Sequence, residues 1–173
     1  DLGDGVAGIE YHSALKKELN PIDGSILETI DWALDWVSEN NYKGLVISGE
    51  GPNFCAGANL NMILAMAERK DWDSINEVTQ LMQNIMQKVR FSRFPVVAAP
   101  YGLVLGGGFE TIGACDRIVA AAESYIGYVE VGVGLIPGAG GNLRMILSAL
   151  GKETGRMGAF QKIKNAFEVI GFA

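Results

Sequence analysis

Apolar residues along this chain follow two rhythms: short unbroken runs between turn residues, and longer stretches that recur every three to four positions. The first rhythm predicts buried strands, and the second predicts helices with one apolar face. Residues 5–11 read as a short strand, and Asn20-Pro-Ile-Asp-Gly24 is turn chemistry. Ser25-Ile-Leu-Glu28 fits a capping box, after which Ile26, Ile30, Ala33, Leu34 and Val37 repeat at helical spacing. Gly44-Leu-Val-Ile-Ser48 predicts a buried strand, residues 49–58 a glycine-bearing loop, and Asn59 to Arg69 a helix. A second helix begins near Asp73 or Ser74 with the stripe Ile75, Val78, Leu81, Met82, Ile85 and Val89. Pro95-Val-Val-Ala-Ala99 is another buried strand, and Gly106-Gly-Gly108 opens a helix from about Phe109 to Ala114. Arg117 to Ala121 reads as strand, residues 132–141 as a loop holding Pro137, and a helix follows from about Asn142. The stretch from Gly151 to Gly158 has the weakest pattern, and Val169 to Ala173 ends inside an apolar one. Strands alternating with helices favour an α/β fold with parallel pairing, and this pattern alone suggests a doubly wound sheet. No internal repeat, low-complexity tract or interdomain linker is visible.

The 173 residues suit one domain, which at this size can bury about 70% of the surface of its unfolded chain. Hydrophobic residues make up 49%, yet no run of about 18 apolar residues exists, which excludes a membrane-spanning helix. Fourteen basic against twenty acidic residues leave a formal charge of -6. That argues against a nucleic-acid binder while permitting a local basic patch for an anionic ligand. Cys55 and Cys115 form no CxxC and no His/Cys cluster, which speaks against structural zinc and for a reduced, cytoplasmic setting. His12 is the only histidine, so any His-based triad would need it. The 23 glycines are nearly twice the usual share of about 7%, and they cluster. The chain starts with Asp1 and shows no signal peptide, so residues 1–173 are expected to be one domain of a longer protein.

Three glycine-bearing segments could carry chemistry. Phe54-Cys-Ala-Gly-Ala-Asn59 leads from a strand into a helix, whose free N–H groups can face a developing negative charge. An ordinary strand-to-helix loop is the alternative. Leu105-Gly-Gly-Gly-Phe-Glu110 lets a ligand approach the backbone closely and puts Glu110 in a first helical turn, where the helix dipole favours its charged form. Close helix–sheet packing with a capping Glu is the alternative. Glu130 stands in the otherwise apolar run from Gly127 to Gly141, where burial would raise its pKa and suit it to proton exchange. A Glu pointing outward at a strand end is the alternative.

Together these segments resemble the crotonase family, the enoyl-CoA hydratases and isomerases. The resemblance is carried by Phe54-x-Ala-Gly-Ala58, Pro95-Val-Val-Ala-Ala99, Leu105-Gly-Gly-Gly-x-Glu110, Ala114-Cys-Asp-Arg-Ile118 with Ala120, and Gly127-x-x-Glu-Val-Gly132 leading into Gly134-Leu-Ile-Pro-Gly-Ala-Gly-Gly141. It runs in family order from about Gly5 to about Leu147. It implies an α/β fold of the ClpP/crotonase type, a ββα-spiral on roughly perpendicular sheets. Asp1 to Ala7 and Tyr42-Lys-Gly-Leu-Val-Ile47 look closest to the hydratase part of fused proteins that also carry a 3-hydroxyacyl-CoA dehydrogenase. A fused or associated dehydrogenase is therefore the implied partner. Family members usually continue with C-terminal helices that help close the acyl pocket and build trimers. This chain stops soon after the helix that follows Gly141, which leaves homo-oligomerisation and acyl preference open.

The resemblance also implies an acyl-CoA thioester as substrate, with no metal and no other cofactor. By motif, the oxyanion hole falls on the backbone N–H groups of Ala58 and Gly107, with Ala56, Gly57 and Gly106 in the same substrate-binding loops. Main-chain donors are fixed before reaction, and losing one costs roughly 3–4 kcal/mol in transition-state energy. The two glutamates of family hydratases match Glu110 and Glu130. Glu110 is assigned to holding and deprotonating water, and Glu130 to positioning water and exchanging the proton at C2. Neighbouring carboxylates disfavour each other's ionisation, so the two are expected to titrate as a coupled pair. Family isomerases usually keep only the second Glu, so the presence of both favours hydration in fatty-acid β-oxidation. Asn59 stands where most members have Asp, and Asn can cap a helix.

Lys16 and Lys17 lie in a loop that often meets CoA phosphates in the family; a solvated lysine pair is the other reading. Met62, with Ile63, Leu64 and Met66, follows the oxyanion loop and is a candidate lining of the acyl or pantetheine channel, against ordinary core packing. His12 reads as a surface or capping residue, Cys55 and Cys115 as small buried apolar residues, and Trp32, Trp36 and Trp72 as packing residues. Three rival functions stay in view: a 3-enoyl-CoA isomerase using Glu130 alone, a non-catalytic acyl-CoA-binding or scaffolding domain, and hydrolase or decarboxylase chemistry on a CoA thioester. The last fits the fold but has no residue in its favour.

Overall fold

The computed structural model describes residues 1–14, 16–152 and 155–172. Its strands are β1 (Val6–Tyr11), β2 (Gly44–Gly49), β3 (Val96–Ala98), β4 (Leu103–Leu105), β5 (Arg117–Ile118) and β6 (Tyr125–Gly127). Its helices are α1 (Gly24–Glu39), α2 (Leu60–Glu68), α3 (Trp72–Arg90), α4 (Gly107–Ala114), α5 (Gly141–Leu150) and α6 (Arg156–Gly171), with a 3-10 turn at Glu130–Val133. A parallel sheet runs in the order β1-β2-β3-β5, and β4 pairs with β6, also in parallel, in a second layer. Cys55 extends that second layer: its N–H donates to the Leu103 carbonyl and the Leu105 N–H donates to its carbonyl, both at 2.9 Å.

The repeat is therefore a strand in the large sheet, a short strand in the second layer, then a helix. β2, the Cys55 segment and α2 make one turn, and β3, β4 and α4 make the next. β5 and β6 begin a third, which leads through the 3-10 turn to α5. This is the ββα-spiral, not the doubly wound sheet that pattern alone suggests. The difference lies in β4 and β6, three residues each, which are too short to show alternation.

Leu45, Ile47, Val96 and Ala98 fill the core from the large sheet, against Ile26, Leu27, Ile30, Ala33, Leu34 and Val37 of α1. The α1 stripe is thus where the spacing predicts it, but the cap is not Ser25. Asp23 caps the helix, accepting from the Ile26 N–H at 3.1 Å, while Ser25 donates its hydroxyl to Asp23 at 2.6 Å. α3 likewise starts earlier than expected, because Asp71 accepts from the Ser74 N–H at 3.2 Å. Its predicted stripe divides: Ile85 and Val89 enter the core, Ile75, Val78 and Met82 are half-buried, and Leu81 is exposed. Trp72 is exposed, Trp32 is exposed with its ring beside that of Trp36, and Trp36 is half-buried between the rings of Trp32 and Tyr42. His12 lies at the surface, paired with Glu50 at 2.9 Å.

Candidate active site

The two glycine-bearing loops meet because α2 and α4 both start directly after second-layer strands. In the first loop, Ile22 N–H donates to the Gly57 carbonyl at 2.8 Å and Asn59 N–H donates to the Ile22 carbonyl at 3.3 Å. Both neighbours of Ala58 are thereby pinned. Gly57 turns at φ +95°, and a Cβ there would stand 3.3 Å from the Leu105 carbonyl oxygen. Buried Asn20 anchors the approach, donating to the Phe54 carbonyl at 3.0 Å and accepting from the Ser13 N–H at 2.6 Å. Asn59 caps α2 through the Met62 N–H, as its residue type suggests. The Ala58 N–H itself donates to no protein acceptor among the described residues.

The second loop assigns each glycine a separate task. Gly106 continues the β4–β6 ladder, donating to the Gly127 carbonyl at 2.9 Å, and turns at φ +52°. Gly107 opens α4, and its N–H also lacks a protein acceptor among the described residues. A Cβ on Gly107 would lie 3.7 Å from the Ala58 nitrogen, so the two free donors are neighbours. At Gly108 a Cβ would stand 2.8 Å from both Cβ and the carbonyl oxygen of Cys55, which is how α4 docks closely on the second layer.

Glu110 follows one turn into α4 and is only 3% exposed. Its Oε1 accepts from the Ala139 N–H at 2.8 Å and the Gly141 N–H at 2.7 Å. Burial pushes its pKa up and the charge of Glu130 adds to that, while the two N–H groups and Arg144 oppose it. Desolvation is the largest of these causes and sets the direction. Glu130 opens the 3-10 turn and is half-buried, with Oε2 accepting from the Val129 N–H at 2.9 Å. Its Oε1 lies over Gly106, 3.1 Å from where a Cβ would stand. Deep burial falls on Glu110, while Glu130 lies between the buried and outward readings of its apolar run, because residues 137–141 fold back over Glu110 and leave the turn after β6 at the surface.

A cavity of about 220 Å³ adjoins these groups. Ala56, Gly57, Ala58, Gly106, Gly107, Glu110 and Glu130 line it, and Ile63, Met66, Ile75, Val78 and Met82 make much of its apolar wall. Met62 is half-buried and does not line the cavity, because α2 turns Ile63 and Met66 inward instead. Lys16 and Lys17 are exposed in the loop before Asn20 and also lie outside the lining. Cys55 and Cys115 are free and buried, their thiols pushed up to about 12 by burial. Ala139, Gly141, Arg144 and Tyr128 were not legible as site residues. Their only trace in the sequence is the glycine density around Pro137, which marks a close approach without saying to what. Among the described residues, no group of three or more His, Cys, Asp or Glu could hold a metal ion, and no helix is long and apolar enough to cross a membrane.

The enoyl-CoA hydratase/isomerase family profile matches residues 3–160. The chain belongs to that family. Over all 173 residues it is 44% identical to a Bacillus subtilis protein named "Probable 3-hydroxyacyl-CoA dehydrogenase", of which it covers 21%. It is 35% identical over 134 residues to the fatty acid oxidation complex subunit alpha of Aliivibrio fischeri, covering 75% of this chain and 19% of that protein. Among solved family members, the enoyl-CoA hydratase of Bacillus anthracis superposes with a TM-score of 0.72 at 30% identity, over 88% of this chain and 54% of that one. The enoyl-CoA hydratase of Thermoplasma volcanium gives 0.73 at 26% identity, over 100% of this chain and 68% of that one. The chain thus spans about a fifth of the length of these curated relatives. The family's fold is the ββα-spiral found here.

Proposed function

We propose that the cavity binds an acyl-CoA thioester and that the protein hydrates the C2=C3 double bond of a 2-enoyl-CoA in fatty-acid β-oxidation. The observation that carries this reading is that two main-chain donors without an acceptor among the described residues, Ala58 and Gly107, line one apolar cavity together with two carboxylates. The donors receive the thioester oxygen as negative charge develops on it, and they need no reorganisation during the reaction. Glu110 takes a proton from water as the water oxygen bonds to C3. The π electrons move to the enolate, which collects a proton at C2 from Glu130. Proton transfer between the carboxylates through solvent restores the start. A carboxylate whose proton affinity is raised by burial is a better base than a solvated one, which suits Glu110 to its part. No other cofactor has a part in these steps.

Two glutamates beside the donors favour hydration over isomerisation, which needs a single proton shuttle. The names of the longer relatives support reading residues 1–173 as one domain of a protein that works with a fused or associated 3-hydroxyacyl-CoA dehydrogenase, to which hydration would supply the 3-hydroxyacyl thioester. Two buried free thiols support a reducing compartment, and we assign the cytoplasm. Lys16 and Lys17 are assigned to CoA phosphates on charge and exposure. The test is hydration of a short 2-enoyl-CoA, followed by loss of its conjugated-thioester absorbance. Glu110→Gln and Glu130→Gln should each lower turnover by orders of magnitude with native circular dichroism. Full activity in either variant removes that residue from the mechanism, and 3-enoyl isomerisation with negligible hydration would overturn the hydratase reading.

A further inference from the structure

A half-buried cation stands beside Glu110 without a part in the chemistry above. Arg144, in the first turn of α5, directs its Nη2 to two main-chain carbonyls, that of Glu110 at 3.0 Å and that of Ala139 at 2.9 Å. The Ala139 N–H in turn donates to the Glu110 carboxylate, as does the Gly141 N–H. Glu110 is thus held at both ends of one residue: its carbonyl by Arg144, its carboxylate by the turn that Arg144 also grips. Two glycines give the guanidinium its place. A Cβ on Gly140 would stand 2.8 Å from Nη1, and one on Gly113 would lie 3.9 Å from Nε. The buried Nε finds no hydrogen-bond partner among the described residues. A charge held in this way costs stability that an apolar side chain of similar volume would not, so packing alone does not account for it.

We infer that Arg144 is a positioning residue for Glu110, locking the Ala139–Gly141 turn against α4 so that both N–H groups aim at one carboxylate oxygen. The inference rests on the hydratase reading for its kinetic consequence, but its geometry does not depend on it. The groups facing Glu110 are Glu130 from the 3-10 turn, Tyr128 just before that turn, and Arg144 from α5. Those facing Arg144 are Glu110, Tyr128, Cys115 at the end of α4, and Arg90 of α3. Arg144 is the cation of the set that opposes protonation of Glu110. Its removal moves the titration of Glu110 to higher pH. Since Glu110 acts ionised, the acid limb of the kcat profile moves the same way.

The test compares wild type with Arg144→Met and Arg144→Lys by three readouts: kcat and KM against pH, titration of the Glu110 carboxyl by carbon NMR (assigned with Glu110→Gln), and hydrogen exchange of the Ala139 and Gly141 amides. Arg144→Met should lower kcat by about 10²-fold with KM changed only a few-fold. Its acid limb and its Glu110 titration should both move up, and the two amides should exchange faster. Arg144→Lys keeps the charge but not the two-carbonyl grip, so exchange should still quicken while its limb moves up less than that of Arg144→Met. If Arg144→Met does not fold, the Lys variant decides by its amides. An unmoved Glu110 titration together with amides protected as in wild type would overturn the inference. So would a loss of activity that merely tracks the melting temperature. Absence of hydration by wild type, with the NMR and exchange shifts as stated, would refute the hydratase reading and uphold the positioning.

Discussion

Gly141→Ala presses on the seat of the Glu110 carboxylate while leaving the backbone conformation allowed. Gly141 does not take a positive φ, so alanine is refused by space and not by the backbone. A Cβ there would stand 2.7 Å from Glu110 Oε1, 2.9 Å from its Cγ and 2.6 Å from the Tyr128 hydroxyl, where ordinary contact begins at 3.4 Å. The carboxylate must therefore retreat by about 0.7 Å (3.4 against 2.7 Å) from the residue whose N–H holds it. A retreat of that size stretches the 2.7 Å hydrogen bond past the usual upper length of about 3.2 Å. A displacement of this order at the reacting atoms costs up to about 10²-fold in kcat, or about 2.7 kcal/mol of barrier. The clashing atoms all belong to side chains and the two nearest are side-chain ends, so the stability cost belongs at the lower end of the roughly 1–3 kcal/mol range for overpacking. Initial rates of 2-enoyl-CoA hydration and urea unfolding at one pH measure both quantities. The double variant with Glu110→Gln should lose little more than Glu110→Gln alone, because both changes act through one carboxylate. A folded Gly141→Ala protein with kcat within about twofold of wild type would refute the geometry of the carboxylate seat.

Glu110→Gln also makes a pH-dependent prediction about stability. Burial raises the proton affinity of Glu110 above its unfolded value, so the folded state keeps a proton over a window just above the ordinary carboxylate range, where the unfolded chain has lost it. Stability therefore falls as pH rises through that window, and Glu110→Gln, which keeps an acceptor for Ala139 and Gly141, should be the more stable protein at neutral pH. The gap should close in acid, and a variant no more stable than wild type at neutral pH would contradict the sign. Gly108→Ala should be costlier to the fold than Gly141→Ala, by about 1–3 kcal/mol in urea unfolding, because its Cβ meets the backbone of Cys55, which cannot give way. A melting curve like that of wild type would argue against the tight α4 contact. Neither Cys55 nor Cys115 should be alkylated in the native protein near neutral pH, since both are buried with thiols pushed up to about 12. Mass spectrometry before and after denaturation reads this directly, and rapid native labelling would refute it.

Much of this fold was legible along the chain because its signals are local. The α1 stripe from Ile26 to Val37 lies where the spacing puts it, since a helix buries whichever face its apolar residues share. β2 and β3 are found as unbroken apolar runs because both of their faces are covered. The glycines at 57 and at 106–108 marked both donor loops, because only glycine tolerates the turns and close approaches made there. Helix starts were less certain: Asp23 and Asp71 cap their helices, and a helix cap depends on where the preceding chain leaves each side chain.

Tertiary structure decided what depends on segments distant in sequence. β4 and β6 exist as a pair only because the spiral brings Leu103 beside Tyr125, and three residues without that partner show no period. Which glutamate would be buried could not be read from its neighbours. Glu130 sits in the more apolar run, yet Glu110 is the one enclosed, by amides about thirty residues later in the chain. Arg144 looks like an ordinary helix-surface charge until α5 is laid against α4, when its guanidinium meets the carbonyl of Glu110. Residue types and spacing therefore determined the elements and the donor loops of this protein, whereas burial, and with it proton affinity, belongs to the assembled layers, because desolvation is set by what surrounds a group in space.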